Sequence, residues 1–348
     1  MTQHYAMLVL PSSNRVYNTA SEKLACAELQ SFNASILGGR ITTPQMADIG
    51  GVSYLTFNST VLSTQDIACL SNLSFVFALF ETRGENHALT LIPIPLTCLD
   101  KYDSDLLTIL KFAGKTNDQF TKLLLNVTLS ASSFANEMTA RKLRVLDPVC
   151  GRGTTLNQAL MYGYDASGIE IDSSDFDAYS QFINRWLKEK RLKHKAEAVE
   201  LRKDGKTQAH RLTIRLAASK EQYKADDVQQ LDFVLADTVR AGEFFKVASF
   251  DLIVADLPYG IRHGNKSAQG HAKSPMELLR EALPVWARLL RRGGAIGLAW
   301  NTYLAKKPDI IALLEAEGLV TYAPTITDHF RHRVDQAIIR DIVIAHRP

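Results

Sequence analysis

The feature that most constrains this chain is a strand-like segment that ends in a glycine turn and leads through a helix-like segment to a second strand. Residues 145–155 read Val-Leu-Asp-Pro-Val-Cys-Gly-Arg-Gly-Thr-Thr, and residues 166–172 read Ala-Ser-Gly-Ile-Glu-Ile-Asp. Short apolar runs of this kind predict buried strands, and glycines permit a tight turn into a helix. The order predicts a βαβ unit with parallel strands, whose carboxyl ends are the usual place for a ligand.

Strands and helices continue to alternate after this unit. Further strands are predicted over 233–236, 252–255 and 295–300, and a helix over 275–290. The last strand-like segments, 320–324 and 337–345, are joined without a helical pattern, which indicates an antiparallel edge. We therefore expect an α/β fold with a Rossmann-like domain: a mostly parallel seven-stranded sheet with an antiparallel C-terminal strand. That ending is typical of class I methyltransferases that use S-adenosylmethionine (SAM).

The first 82 residues show a different order of predicted strands and helices. Strands are predicted over 5–11, 35–41, 52–57 and 74–80, and helices over 19–29 and 63–70. This order is βαββαβ, the ferredoxin-like α+β unit. The predicted organisation is a ferredoxin-like domain (1–82), a connector (83–117) and a SAM methyltransferase domain (118–348) with a basic insertion at about 185–230.

Composition narrows the class of protein. The chain has 348 residues, 46% hydrophobic and 22% charged, as in a globular protein with room for two domains. Its apolar runs are too short to span a membrane and no cleavable leader is apparent, so we expect a cytoplasmic protein. Four scattered cysteines do not predict a metal site or disulfides. Positive charge is densest over 185–224, which indicates either a solvated helix face with a lysine-rich hairpin or a surface for phosphates.

Acidic residues end three successive predicted strands, and each suits one part of SAM. Asp147 can meet the methionine end, Glu170 can accept both ribose hydroxyls, and Asp237 can accept a hydrogen bond from the adenine amine. Glycines let the backbone approach a ligand, and a cysteine in the loop is interpreted as a small turn residue. The predicted SAM-binding residues are Thr121, Asp147, Pro148, Cys150, Gly151, Gly153, Thr154, Thr155, Glu170, Ile171, Asp237 and Thr238.

A dinucleotide site is the competing interpretation of this loop. A glycine loop with an acid about 20 residues later also fits NAD. However, the pattern Gly-x-Gly-x-x-Gly requires glycine where this chain has Leu156, and an Asp-Pro opening has no role in binding a pyrophosphate. The sequence therefore favours SAM.

The segment Asp256-Leu257-Pro258-Tyr259 follows the fourth predicted strand and suits methyl transfer to an exocyclic base amine. The lone pair of such an amine is delocalised into the ring and must be localised. Asp256 can accept one N–H and the Leu257 carbonyl the other, while Pro258 fixes the turn and Tyr259 offers a ring for stacking. Such a pocket requires a flipped or unpaired base. The alternative is an ordinary turn with a surface tyrosine.

Two basic groups are predicted to contact the nucleic acid substrate, one beside the pocket and one in the basic insertion. They are Arg262 and His263, in the loop over 261–274, and Lys190, Arg191, Lys193 and Lys195.

A resemblance to a known family rests on three motifs. They are Asp-Pro-Val-Cys-Gly-Arg-Gly-Thr-Thr over 147–155, Gly-Ile-Glu-Ile-Asp over 168–172 and Asp-Leu-Pro-Tyr-Gly over 256–260, preceded by the helix with Thr121. Together they resemble the THUMP-associated RNA methyltransferases, above all the tRNA guanine-10 N2-methyltransferase group. The resemblance covers residues 118 to 348 and, more loosely, the first 82.

This resemblance implies a role for three residues: Asp256 positions the amine, Tyr259 stacks on the base and Glu170 binds the ribose. The family usually has proline where this chain has Leu257, whose main-chain carbonyl does the work. Residues 83–117 are too few for a complete THUMP domain.

The sequence thus predicts a SAM-dependent RNA methyltransferase that acts on an exocyclic amine, with guanosine N2 in tRNA as the favoured target. A DNA adenine-N6 or cytosine-N4 methyltransferase is the first alternative, because Asp-x-Pro-Tyr also serves there. A non-catalytic RNA-binding protein on a methyltransferase fold is the second. The ferredoxin-like N-terminus favours RNA.

Overall fold

Two β-sheets organise the chain, a five-stranded antiparallel sheet near the N-terminus and a ten-stranded mixed sheet after it. The structure is a computed structural model and describes residues 2–10, 15–84, 88–108, 115–203, 206–259, 274–322 and 329–348. Within these ranges, no helix combines the length and the apolar character needed to cross a lipid bilayer.

The strands and helices follow one another along the chain as follows. The strands are β1 (Gln3–Val9), β2 (Gln45–Ile49), β3 (Val52–Ser59), β4 (Val76–Arg83), β5 (Thr90–Ile94), β6 (Arg144–Asp147), β7 (Asp165–Glu170), β8 (Lys193–Lys203), β9 (Lys206–Ala217), β10 (Gln229–Leu235), β11 (Phe250–Asp256), β12 (Leu290–Asn301), β13 (Val320–Thr321), β14 (His332–Arg333) and β15 (Ile339–His346). The helices are α1 (Arg15–Ser35), α2 (Thr64–Leu70), α3 (Asp105–Thr108), α4 (Asp118–Ser130), α5 (Thr154–Met161), α6 (Ser173–Glu189), α7 (Lys220–Lys224), α8 (Ala241–Phe244), α9 (Pro275–Leu289) and α10 (Lys307–Ala316).

The antiparallel sheet has the strand order β2-β3-β1-β4-β5. Its first four strands and α1 and α2 follow one another as βαββαβ, in agreement with the predicted ferredoxin-like order. The strand predicted over 35–41 was wrong, because α1 continues to Ser35 and the second strand begins at Gln45. Within α1, the hydroxyls of Ser31 and Ser35 donate to the carbonyls of Ala27 and Ser31, so these serines are accommodated in the helix.

The segment between the two sheets packs against both of them. β5 pairs with β4, where Ile94 lies opposite Leu79. Further along, the Lys101 amide donates to the Met161 carbonyl of α5 at 2.9 Å, and the Tyr102 hydroxyl donates to Gln229 Oε1 of β10 at 2.5 Å. Residues of the predicted connector are therefore fixed to the second sheet as well as to the first.

The mixed sheet has the strand order β13-β15-β12-β11-β6-β7-β10-β9-β8, and β14 pairs with β15. The five central strands, β12, β11, β6, β7 and β10, are parallel. β15 runs antiparallel between β12 and β13. The predicted Rossmann-like α/β fold with an antiparallel C-terminal strand is therefore confirmed. The predicted number of seven strands was wrong, because the hairpin strands β8 and β9 and the short β14 bring the sheet to ten.

The basic insertion forms the hairpin β8–β9, which extends the sheet beyond β10. Its register runs from Lys193 opposite Ala217 to Lys203 opposite Lys206. Because β9 is antiparallel to β10, with His210 opposite Leu235, the hairpin end with Lys203 and Lys206 lies at the carboxyl edge of the parallel strands. The other end of the hairpin lies at the opposite edge, about 35 Å away along the 11 residues of β8.

Helix α4 joins the two halves of the molecule. Asn117 caps its first turn by accepting a hydrogen bond from the Gln119 amide at 2.8 Å. The helix approaches β12 so closely that a Cβ atom added at Gly297 would lie 1.8 Å from Thr128 Oγ1. A single cluster of buried apolar residues runs from Tyr5 of β1 through α4 to Ile344 of β15.

A buried polar network also crosses from one half to the other. The Glu28 carboxylate, which is fully buried on α1, accepts hydrogen bonds from the Ser74 amide at 2.9 Å and from Asn126 Nδ2 at 2.7 Å. Asn126 Nδ2 also donates to the Asn72 carbonyl at 2.8 Å. Burial raises the pKa of Glu28 to about 7, although the hydrogen bonds from Asn126 and Ser74 oppose this shift.

Candidate active site

A cavity of about 310 Å³ lies at the carboxyl edge of the parallel strands. Its walls come from the loop after β6, the tip of β7, the start of α4 and the segment after β11. The predicted SAM-binding residues that line it are Thr121, Asp147, Cys150, Gly151, Thr154, Thr155 and Glu170. The whole segment 256–259 lines the same cavity, so the two predicted constellations lie together.

The glycine loop holds two glycines with positive φ that have different physical causes. Gly151 has φ +51° and no atom within 4 Å of an added Cβ, so this position faces open space in the cavity. Gly153 has φ +76°, and an added Cβ would lie 2.4 Å from the Tyr179 ring. Gly153 is therefore required by packing on α6, whereas Gly151 leaves room for a ligand.

Glu170 ends β7 and holds the glycine loop. Its Oε1 accepts from the amides of Ile171 and Asp172, at 2.8 and 2.7 Å, and its Oε2 accepts from the Gly151 amide at 2.8 Å. Burial raises the pKa of Glu170, while these amides oppose the shift. A carboxylate has about four acceptor sites, so Oε2 can still accept a hydrogen bond from a ligand hydroxyl.

Negative charge accumulates in the cavity. Asp147 is buried, and its pKa is raised to about 7. Burial is the main cause and the carboxylates of Asp256 and Glu170 add to it, while the Thr155 side chain and the Val149 amide act in the opposite direction. This concentration of carboxylates suits a cationic ligand such as SAM, which carries a sulfonium and an ammonium.

The remaining predicted SAM-binding residues are not among those that line the cavity. Pro148 and Gly153 are buried in the loop, and the Ile171 side chain is 70% exposed next to Glu170. Asp237 caps a short turn by accepting from the Val239 amide at 3.1 Å. Thr238 Oγ1 accepts from Trp286 Nε1 at 3.0 Å, so Thr238 is a packing partner of α9.

The segment after β11 presents Asp256 to the cavity. Asp256 Oδ2 accepts from Thr116 Oγ1 at 2.7 Å, and the Tyr259 hydroxyl donates to Asp256 Oδ1. The Leu257 amide donates to the Ala299 carbonyl of β12 at 2.8 Å, which fixes the turn to the sheet. The aspartate and the aromatic ring that the sequence singled out are therefore in contact.

Several residues that were not predicted also belong to this site or contact it, and three of them surround Asp256 and Tyr259. Thr116 and Phe120 come from the start of α4, and Arg340 comes from β15, where its side chain is only 4% exposed. Arg340 Nη2 lies 3.4 Å from Asp256 Oδ2. No local motif signals these residues, because each reaches the site from a distant part of the chain.

The predicted basic contacts are placed elsewhere. Arg262 and His263 fall outside the residues that the structure describes. The other four, Lys190, Arg191, Lys193 and Lys195, lie at the edge of the sheet opposite to Asp256. Among them, Lys190 pairs with Asp103 at 2.6 Å and with Asp105, and Lys195 pairs with Glu197 at 2.6 Å.

A Rossmann-like sheet with a glycine loop, an acidic cavity and an Asp-Leu-Pro-Tyr segment at one edge defines a class I methyltransferase. The sequence matches the family described as UPF0020, RMKL-like methyltransferase domain, over residues 121–306, and the chain belongs to this family. The match spans the glycine loop and the segment 256–259. It confirms the predicted enzyme class, a SAM-dependent methyltransferase, and SAM as its cofactor.

Comparison with other known proteins gives only distant similarities. Among curated proteins, none matches the sequence significantly. A TehB-like SAM-dependent methyltransferase from Corynebacterium glutamicum has 14% identity and a TM-score of 0.35, over 62% of this chain and 85% of that chain. The PH0226 protein from Pyrococcus horikoshii has 11% identity and a TM-score of 0.35, over 60% of this chain and 83% of that chain. Similarities at this level carry no information on the substrate.

Proposed function

We propose that the protein transfers a methyl group from SAM to an exocyclic amine of a nucleobase in RNA, with guanosine N2 in tRNA as the target. The observation that carries this proposal is the position of Asp256 and Tyr259 on the wall of the cavity that also contains Asp147 and Glu170. A carboxylate acceptor and an aromatic ring beside a cofactor cavity are what an amine on a planar base needs.

Bound SAM supplies an electrophilic methyl group on its sulfonium. Asp147 and Glu170 would hold its cationic methionine end and its ribose, because they supply buried acceptor oxygens on adjacent strand tips. The exposed Ile171 side chain, next to Glu170, offers an apolar surface to the adenine ring. Asp256 would accept one amine N–H and the Leu257 carbonyl the other, so that the nitrogen lone pair points at the methyl group.

A carboxylate at position 256 is compatible with guanine as the acceptor base. Guanine presents two neighbouring donors, N1–H and N2–H, and an ionised carboxylate has two acceptor oxygens and no donor. Adenine and cytosine present an amine donor beside a ring-nitrogen acceptor, and Asp-x-Pro-Tyr also serves in methyltransferases that act on them. The chemistry of Asp256 is therefore compatible with guanosine N2 as the acceptor.

RNA is favoured over DNA by the N-terminal half. The ferredoxin-like order βαββαβ precedes the methyltransferase fold here, as it does in the THUMP-associated RNA methyltransferases that the motifs resemble. That resemblance is also the basis for proposing tRNA.

Labelled SAM tests the proposed function directly. The protein is incubated with separate pools of tRNA, ribosomal RNA and DNA, and the labelled nucleoside is identified. We expect N2-methylguanosine from tRNA. Label in adenine or cytosine of DNA alone, or SAM binding with no label in any pool, would contradict the proposal.

Asp256→Asn tests the assigned mechanism. The amide replaces one acceptor by a donor that faces guanine N1–H, so transfer should fall on the order of a hundredfold or more while SAM affinity is nearly kept. Asp309→Asn, the same change on the exposed α10, is the matched control and should keep the wild-type rate. Equal rates in Asp256→Asn and wild type would remove Asp256 from the mechanism.

The basic strip at the start of β8 is a proposed contact for RNA beyond the pocket. Arg191 and Lys193 are exposed there, whereas Lys190 and Lys195 are held in ion pairs. Changing Arg191 and Lys193 to glutamine should weaken RNA binding and lower the slope of its salt dependence by about two. The swap Arg191→Lys with Lys193→Arg keeps both charges and should keep both quantities. Unchanged binding of the neutral variant at every salt concentration would exclude this contact.

A further inference from the structure

The antiparallel direction of β15 brings its first residues to the catalytic edge of the sheet. Arg340 lies opposite Asn301, the last residue of β12, and opposite His332 of β14. The strand therefore delivers a side chain to the same edge at which the parallel strands end. That side chain is almost completely buried.

Arg340 contacts three residues that line the cavity. Its Nη2 lies 3.4 Å from Asp256 Oδ2. Its guanidinium carbon lies 4.1 Å from the centroid of the Phe120 ring and 5.0 Å from that of Tyr259. A planar guanidinium can pair with a carboxylate through its N–H groups and stack on aromatic rings through its faces, which an ammonium cannot do.

These contacts fix the two groups that the proposed chemistry needs. The cation offsets the repulsion between the carboxylates of Asp256 and Asp147, which share one cavity. It also occupies one face of the Tyr259 ring, so that the opposite face is the one available to a base. The side chain of Asp256 is thus held between Arg340 and Thr116 before any substrate arrives.

We propose that Arg340 is a positioning residue for methyl transfer, which acts by holding Asp256 and Tyr259 in the orientation that receives the base amine. This inference rests on the proposed function. It assigns to Arg340 no contact with the methyl group and no proton transfer. Burying a cation here is favourable only because the carboxylate and the two rings surround it.

Single-turnover methylation at saturating SAM and RNA tests this role. Arg340→Met keeps the length of the side chain but removes its charge and planarity, so the rate should fall on the order of tenfold to a hundredfold, as expected for one hydrogen bond to a charged group. The dissociation constant for SAM should be nearly unchanged. Arg340→Lys restores the charge alone and should recover part of the rate.

Arg211→Met is the matched control. Arg211 pairs with the buried Asp232, and its guanidinium carbon lies 5.9 Å from the centroid of the Phe245 ring. It therefore makes the same two kinds of contact as Arg340, with a carboxylate and an aromatic ring, in the same sheet but away from the cavity. This variant should lose thermal stability and keep the rate of methyl transfer.

A double-mutant cycle separates positioning from a structural role. In an Asp256→Asn background, adding Arg340→Met should lower the rate by less than about threefold, because the carboxylate that Arg340 orients is already gone. Fully additive losses, or a parallel fall in SAM affinity, stability and rate in both Arg340 variants, would overturn the inference. If Arg340→Met transferred the methyl group at the wild-type rate, the inference on Arg340 would be overturned while the proposed function would stand. If the unmutated protein methylated no nucleic acid, the proposed function itself would be refuted.

Discussion

Replacing Glu28 by glutamine should make the free energy of unfolding less dependent on pH. Glu28 is fully buried, and burial raises its pKa from 4.5 to about 7. A raised carboxyl pKa means that the folded protein binds the proton more tightly than the unfolded chain does. The stability that this proton supplies is fully present below pH 4.5 and is lost as the pH rises through about 7.

The size of the effect follows from the two pKa values. The difference between 4.5 and about 7 corresponds to about 3 kcal/mol of unfolding free energy. Glutamine does not titrate, so it removes this dependence. It also places an N–H group against the donors Ser74 and Asn126, which costs about 1–3 kcal/mol at every pH. The variant should therefore be less stable than wild type by about 1–3 kcal/mol at pH 4.5, and at pH 8 it should be equally stable or more stable by up to about 2 kcal/mol.

Urea unfolding of both proteins between pH 4.5 and 8 measures this difference. Other groups with shifted pKa values, such as Asp147, are present in both proteins and cancel. Glu22→Gln is the matched control, because it makes the same change on an exposed position of α1 and should give a difference that is constant with pH. A constant difference for Glu28→Gln as well would show that Glu28 titrates normally and would refute the reasoning.

Three further changes test other parts of the structure. Gly297→Ala should lower the melting temperature by several degrees, because α4 leaves no room for a Cβ atom at this position. Gly242→Ala is the control and should leave the melting temperature nearly unchanged, because its Cβ atom would make an ordinary contact at 3.5 Å. The affinity for SAM, measured by calorimetry, should rise about tenfold from pH 6 to pH 8 because Asp147 ionises over this range. The variant Asp147→Asn should lose this pH dependence. A wild-type affinity that does not change with pH would contradict the role given to Asp147. Thr116→Val removes one hydrogen bond to Asp256 and should slow single-turnover transfer about fivefold to tenfold without loss of SAM binding; an unchanged rate would show that Thr116 does not orient this carboxylate.

Local patterns were sufficient for the fold because the strands of the mixed sheet are short apolar runs bounded by turn residues. The glycine loop after β6 and the acid at the tip of β7 follow from the same patterns, since parallel strands bring their carboxyl ends to one edge. The strand predicted over 35–41 failed for the opposite reason. Helix α1 continues past residue 29 to Ser35, and the hydroxyls of Ser31 and Ser35 bond to carbonyls of the preceding turn.

Contacts between distant segments could not be predicted in this way. Arg340 resembles any other arginine in a strand until the antiparallel pairing of β15 with β12 is known. Charge patterning likewise singled out Lys190 and Lys195 without indicating the acids that pair with them. It also gave no sign that the start of β8 and the cavity lie at opposite edges of the sheet.

The hydrophobic cluster that runs from Tyr5 to Ile344 determines how this protein unfolds. The ferredoxin-like half cannot melt first, because its loss would expose the buried face of α4 and leave Asn126 without its partner Glu28. Heat should therefore destroy both halves in one calorimetric transition. For the same reason, a gene fragment that encodes only the methyltransferase half should yield an aggregating polypeptide rather than a smaller working enzyme.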